Sequence, residues 1–570
     1  MAVLMVLALA FATGSANIID LPCTDISDPW ACVAHTDLSL HICEWCAAPG
    51  SRGCRPVGLN NCSAPCCVAK GSLSSCDMDD VKDLAAASSC DGSTATARSA
   101  AALPKPKAKA VGVGFSGGGS RAFTYLYAPT NASDDALVGA YVPPENLTVA
   151  AVTSAAGSFA ELPAAIITKC VELLAERALY DSKPWDHIWR DAIYQTFLKP
   201  TGIGVDQPFF ATRAAADAAA ARNAAVFGAL SRAPLAPRDG AAPDVVFVGA
   251  IEGPEALIPL ANNTYLPLAM GPEYVGTGSG VVDVPYAKHW PWSDNGTYGI
   301  GGYVESWAFG SAPVAAGDDG TAVALAKRLF SLNNAVGIAS MAPAALLTHL
   351  PEVLEARRRL GGDDDDGDAG SGLLSLVPTF RLWAPAEGVD PDDPPDFFAV
   401  GDGGDLDNFG ILHLLQRGLD RIVATADLVD LYIPAMFGRV VSADVECNVA
   451  NNHVFDAEGL PRLVAALQAA NATGSGAVAS VNVTTVANEL FGIEAGRVVD
   501  LTFVYLDLPR KWVDALPDET KAAIADDMPN FPQFPTITHL DLSVAEVSLL
   551  SQLNSWVVRE HAALLAAKLR

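Results

Sequence analysis

Apolar and polar positions along the chain alternate between two periods, and each period predicts a different element. Val111, Val113 and Phe115 stand at every second position between glycines, which predicts a short buried strand. Leu147–Thr153 is an apolar, β-branched run and predicts another. Further strands are predicted over Asp244–Ile251, Phe398–Val400 and Val498–Leu506. Helical spacing covers Ala160–Ala178, with Cys170 as a core thiol, the alanine-rich Ala211–Leu230, Leu412–Ala424 with Leu428–Ile433 following it, and Val544–Leu569. Strand and helix signals in turn predict an α/β domain with helices on both faces of a sheet. No internal repeat interrupts the pattern. Residues 361–372, with Asp363–Asp366 and Asp368, predict a solvated acidic loop, because the spacing is not that of a calcium-binding loop.

The ends of the chain change this picture. Residues 2–16 are apolar and finish in small residues, the pattern of a secretory signal peptide cut near Ala16. Ten of the 12 cysteines lie between Cys23 and Cys90, so residues 17–92 are expected to form a disulfide-stapled module; Cys43-x-x-Cys46 as half a zinc site is the poorer reading in an oxidising compartment. Residues 93–110, rich in small residues, proline and lysine, are expected to be a linker to a large domain over 111–570. Seven N-x-S/T sequons, at Asn61, Asn131, Asn146, Asn262, Asn295, Asn471 and Asn482, fit a secreted or lumenal protein.

Charge narrows the partners. A formal net charge of −29 argues against nucleic acid and against electrostatic docking on anionic membranes. No internal apolar run approaches the length of a membrane span. Half of the residues are hydrophobic, enough for a sizeable core.

Candidate chemistry sits at two glycine-rich turns. The first is Ser116-Gly-Gly-Gly-Ser-Arg121, where a strand ends in glycines that let backbone N–H groups converge on an anion. It lacks the G-x-G-x-x-G and Lys-Ser/Thr of nucleotide loops. Gly114-Phe-Ser116-Gly-Gly118 also matches the G-x-S-x-G pattern of esterase nucleophiles. The second is Asp402-Gly-Gly-Asp-Leu-Asp-Asn-Phe-Gly-Ile-Leu-His-Leu-Leu415, where a strand delivers a carboxylate into a flexible turn suited to general-base work. His413 among its leucines reads as a packed histidine, with a Ser–His–Asp hydrolase as the rival reading. Trp185, His187 and Trp189 read as core.

These two motifs, in this order, resemble the glycine-rich loop and the aspartate motif of the cytosolic phospholipase A2 and lysophospholipase (phospholipase B) catalytic domain, a relative of the patatins. Weaker similarities lie at 307–311, 333–342 and 531–536, so the resemblance spans residues 111–560 and leaves the cysteine-rich segment outside. It implies a three-layer α/β/α patatin-like domain and a Ser–Asp dyad hydrolysing phospholipid or lysophospholipid esters, with no metal or organic cofactor. The family roles fall by motif on Asp402 as base, on Gly117 and Gly118 as oxyanion donors, and on Arg121 facing the substrate phosphate. Ser116, inside the oxyanion loop, is then not the nucleophile. The family's nucleophile elbow corresponds to Thr153-Ser-Ala-Ala-Gly-Ser-Phe159, which puts Ala155 at the family's serine position, Ser154 one residue earlier and Ser158 at a helix N-cap. Two readings follow: a hydrolase using Ser154, or a catalytically degenerate protein that binds lipid or recognises a surface.

Overall fold

The computed structural model describes residues 43–46, 53–56, 94–100, 110–114, 140–154, 169–170, 173, 187–236, 245–258, 260, 264–287, 295–317, 320–326, 329–341, 377–382, 384, 395–426, 432–438, 452–528, 530–534 and 542–570. In chain order the strands are β1 (Cys43–Cys46), β2 (Gly53–Pro56), β3 (Thr94–Ala97), β4 (Ser99–Ala100), β5 (Gly112–Gly114), β6 (Phe247–Pro254), β7 (Leu266–Met270) and β8 (Tyr274–Ala287). They continue with β9 (Asn295–Glu305), β10 (Ala312–Gly317), β11 (Gly320–Ala324), β12 (Thr379–Arg381), β13 (Phe397–Asp402), β14 (Arg421–Ala426), β15 (Ala477–Thr484) and β16 (Val498–Tyr505). The helices are α1 (Val149–Ser154), α2 (Ile188–Ile193), α3 (Arg213–Arg222), α4 (Ala224–Gly228), α5 (Leu332–Ile338) and α6 (Ile411–Gln416). After them come α7 (Tyr432–Met436), α8 (Gly459–Ala472), α9 (Arg510–Ala515), α10 (Asp518–Asp527), α11 (Val544–Glu560) and α12 (Ala562–Lys568).

Two sheets share one mixed α/β core. The smaller has the order β15-β16-β14-β5, with β16, β14 and β5 parallel and β15 antiparallel at the edge. Its strands obey the period of two: Ile422 and Ala424 face one cluster, shared with Leu501 and Phe503, while Val423, Val478 and Val504 face another, formed with Trp512, Leu549, Leu550 and Leu553. Both faces are therefore buried. α11 supplies much of the second face, and it starts where Ser543 and Glu546 satisfy each other's backbone N–H groups in a capping box.

The larger sheet was not legible as such. Its seven strands run β12-β13-β6-β7-β8-β9-β4, with antiparallel neighbours throughout. The long hairpin β8–β9 is glycine-rich because the backbones cross closely: a Cβ on Gly276 would stand 2.1 Å from the Gly302 carbonyl oxygen. Those glycines dilute the apolar alternation that marks a strand. α6 lies between the sheets, touching β5, β7 and β14, and buries Ile411, Leu412 and Leu415 in the shared core.

Three sequence expectations are corrected here. Leu147–Thr153 does not form a strand; a 3₁₀ turn over Pro144–Asn146 leads into α1. Thr148 closes the first helical turn, its hydroxyl accepting from Ala151 N at 3.2 Å and its carbonyl from Val152 N at 2.9 Å, and these local bonds outweigh β-branched propensity. Within the expected linker, Thr94–Ala97 pairs with β11 and Ser99–Ala100 with β9, so residues 94–100 belong to the sheets. Asn223, buried between α3 and α4, holds the β3 edge by accepting from Thr96 N at 2.8 Å and donating to Thr96 O at 3.1 Å. The helix expected over Leu412–Ala424 ends at Gln416; Gly418, at φ 80°, turns the chain into β14.

The strands expected over Asp244–Ile251, Phe398–Val400 and Val498–Leu506 form as β6, β13 and β16. Cys170 packs against the cluster of Leu173, Ile188 and Met341, and burial pushes its thiol up to about 12. Trp189 joins the same cluster and donates to Ser340 Oγ at 3.1 Å. Residues 43–46 and 53–56 form an antiparallel hairpin. The side chains of the ten N-terminal cysteines and the acidic loop at 361–372 lie outside the described residues. Among the described residues no helix is long and apolar enough to cross a membrane, and no group of three or more acidic, histidine or cysteine side chains is arranged to hold a metal ion.

Candidate active site

β13 ends on Asp402, opposite Gly249 of β6. The chain then turns through a short 3₁₀ segment, Gly403–Asp405, into α6. Neither glycine after Asp402 has a positive φ, so sterics rather than backbone freedom call for them. A Cβ on Gly403 would meet Val248 Cγ1 at 2.3 Å, and one on Gly404 would meet Asn408 Oδ1 at 2.8 Å and Asp402 Oδ1 at 3.5 Å. The D-G-G triplet is thus what lets the turn close onto β6 with the carboxylate beside it.

The turn holds two aspartates in different ways. Asp402 is half-buried and accepts from Gly404 N at 2.9 Å. Burial raises its carboxyl to about 6, against the opposing pull of that N–H. Asp407 is buried, and its two oxygens accept from Phe409 N at 2.9 Å and Leu412 N at 2.5 Å. Burial raises it to about 6 as well, opposed by the N–H groups of Leu412, Phe409 and Gly410. Asp407 is committed to tying the turn to the first residues of α6. Asp402, with one N–H on one oxygen among the described residues, is the carboxylate left to take a proton. Its raised pKa brings it toward neutrality, where a general base is most useful.

Asn452, fully buried, supports the turn from outside by donating Nδ2 to Leu406 O at 2.8 Å. It belongs to no motif in the sequence, and no periodicity or spacing could have found it. His413 is the packed histidine the leucines around it predict. It is 2% exposed, and burial lowers its pKa to about 4, against the pull of a hydrogen bond to the Leu268 backbone.

The aspartate turn is joined physically to the strand that precedes the first glycine motif. α6 packs on β5, and Gly112 is what permits it, since a Cβ there would stand 2.8 Å from Leu414 Cδ2. β5 runs parallel to β14 and leads directly toward Ser116.

No family model matches the chain, and no curated protein matches it. Among solved structures the chain is similar to human GIVD cytosolic phospholipase A2, at 11% identity and a TM-score of 0.34, over 81% of this chain and 60% of that one. The chain therefore spans less than two thirds of that protein's length. A match at this level leaves any functional reading to rest on the residues themselves.

Of the sequence-predicted site residues, Asp402 is described in full. Ser154 is the last residue of α1, at a helix end rather than after a strand, and its side chain lies outside the described residues. Ser116, Gly117, Gly118, Arg121 and Ser158 also lie outside them.

Proposed function

We propose that the protein is a lipid acyl hydrolase that cleaves phospholipid or lysophospholipid esters through a Ser–Asp dyad. The observation that carries this reading is Asp402: a half-buried carboxylate at a strand end, raised to about 6, in a turn whose following helix packs on the strand leading to the glycine loop. In the proposed reaction Ser154 attacks the ester carbonyl, Asp402 takes its proton, and the alcohol leaves as the acyl-enzyme forms. Water then releases the fatty acid. The N–H groups of Gly117 and Gly118 hold the oxyanion, at roughly 2.7–4 kcal/mol per donor, and Arg121 faces the substrate phosphate. No cofactor enters. The domain in this reading is a patatin-like α/β/α unit preceded by a disulfide-rich module. The four sequon asparagines among the described residues, Asn146, Asn295, Asn471 and Asn482, are all exposed, as a secreted or lumenal glycoprotein requires.

The position of Ser154 at a helix end favours keeping a second reading, a non-catalytic protein that binds lipid or recognises a surface. Release of fatty acid from lysophosphatidylcholine micelles separates the two. Hydrolysis lost in Asp402→Asn and Ser154→Ala but retained in Ser116→Ala supports the dyad. A folded wild-type protein that binds the micelles and releases nothing supports the binder.

A further inference from the structure

A serine hydroxyl held by two charged side chains stands at the carboxyl edge of the smaller sheet. Ser475 occupies a sharp turn between Gly474 at φ 78° and Gly476 at φ 103°, both in the left-handed region that a side chain disfavours. The turn leads directly into β15, whose first residue, Ala477, pairs with Tyr505 at the end of β16; Ala426, ending β14, is Tyr505's partner on the other side. Ligands of open α/β sheets gather outside this end of the parallel strands.

Two helices bring charged side chains to the hydroxyl, and those side chains lie 3.7 Å from each other. Lys511 Nζ, on α9, donates to Ser475 Oγ at 2.6 Å, and Ser475 Oγ donates to Glu560 Oε1, at the end of α11, at 3.0 Å. His561 Nε2 lies 3.0 Å from the Ser475 carbonyl oxygen, and Lys511 N donates to Gly474 O at 3.0 Å, so the backbone of the turn is pinned from both sides. Asp507, two residues beyond β16, accepts from Ala477 N at 3.3 Å; burial raises its carboxyl, opposed by backbone N–H groups and by His561. Ser475 itself is 7% exposed, while the Lys511 and Glu560 side chains that hold it are 53% and 38% exposed.

A hydroxyl held between a carboxylate acceptor and an ammonium donor, on a glycine-flanked turn, has the parts of an activated nucleophile. We propose that Ser475, Lys511 and Glu560 form a second ester-cleaving site, independent of the Asp402 turn and suited to short-chain carboxylic esters that reach it from solvent. Ser475 Oγ forms a bond to the ester carbonyl carbon as its proton passes to Glu560. The bond from carbon to the alcohol oxygen breaks, and that oxygen takes the proton back from Glu560. Water then attacks the acyl-serine by the same route, releasing the acid and restoring the hydroxyl. Lys511 stays protonated and offsets negative charge on Oγ before attack.

A fluorophosphonate probe on the full chain tests this, with the adduct located by peptide mass. The expected result is an adduct on the peptide carrying Ser475, formed about 10²-fold more slowly in Glu560→Gln and at the wild-type rate in Asp402→Asn. Location of the adduct in the wild-type protein needs no variant to fold. Absence of an adduct at Ser475, or labelling of Glu560→Gln as fast as wild type, overturns the proposal. Fatty-acid release lost in Asp402→Asn while Ser475 labelling persists would separate this site from the dyad.

Discussion

Replacing Gly403 by alanine tests the steric reading of the D-G-G turn. The new methyl group would lie 2.3 Å from Val248 Cγ1 and 3.1 Å from the Val248 carbonyl carbon, where carbon atoms prefer roughly 3.5–4.0 Å. Retreat is blocked on one side by the β13–β6 register, which pairs Asp402 with Gly249, and on the other by the Asp407 bonds into α6. Overpacking of this kind costs about 1–3 kcal/mol. Val248→Ala removes the nearest atom and leaves contacts of 3.1 and 3.2 Å, so the double variant should recover most of that cost. A coupling of about 1–2 kcal/mol between the two substitutions is expected. Urea unfolding followed by tryptophan fluorescence supplies the numbers, with an unchanged denaturant slope showing that the native and unfolded states are the same in kind. Gly403→Ala within 0.5 kcal/mol of wild type, or a double variant no better than the sum of the singles, would refute the argument.

The same substitution at two aspartates five residues apart should differ in cost, because Asp407 holds two N–H groups and Asp402 one. Asp407→Asn puts an amide where two N–H groups need acceptors and is expected to cost about 2–3 kcal/mol in urea unfolding. Asp402→Asn keeps an oxygen for Gly404 N, so the fold should survive, and its pH dependence carries the signal. The raised Asp402 carboxyl binds its proton more tightly folded than unfolded, so its contribution is full below about pH 3.8 and is lost as pH rises through about 6. Relative to wild type, Asp402→Asn should therefore gain up to about 3 kcal/mol between pH 4 and 7, read from urea midpoints at each pH; a flat difference would contradict the burial. His413→Leu gives up an imidazole that meets the Leu268 backbone and should cost about 0.5–1.5 kcal/mol at pH 7, with lipid hydrolysis retained; loss of hydrolysis in a folded variant would revive the histidine reading.

Much of this protein was written in short-range pattern. The short apolar runs at 247–254, 397–402 and 498–505 became strands, and the capped segment at 543–560 became a helix, because burial and local pattern agree there. Both glycine-rich motifs stand out in the sequence, and at 402–404 the missing side chains are what let the turn close onto β6. The pattern failed where contacts outside the apolar alternation, some local and some long-range, set the outcome. Thr148 turned an apolar run into α1, glycines forced by backbone crossing hid the β8–β9 hairpin, and strands from distant segments drew residues 94–100 into the sheets. The sequence singles out Asp402 by its D-G-G, but it does not show that Asp407 is tied to α6 or that Ser475 meets two charged side chains. Those distinctions arise from burial and from which N–H groups, lysine or glutamate the fold brings within about 3 Å, and that proximity is a property of the tertiary structure alone.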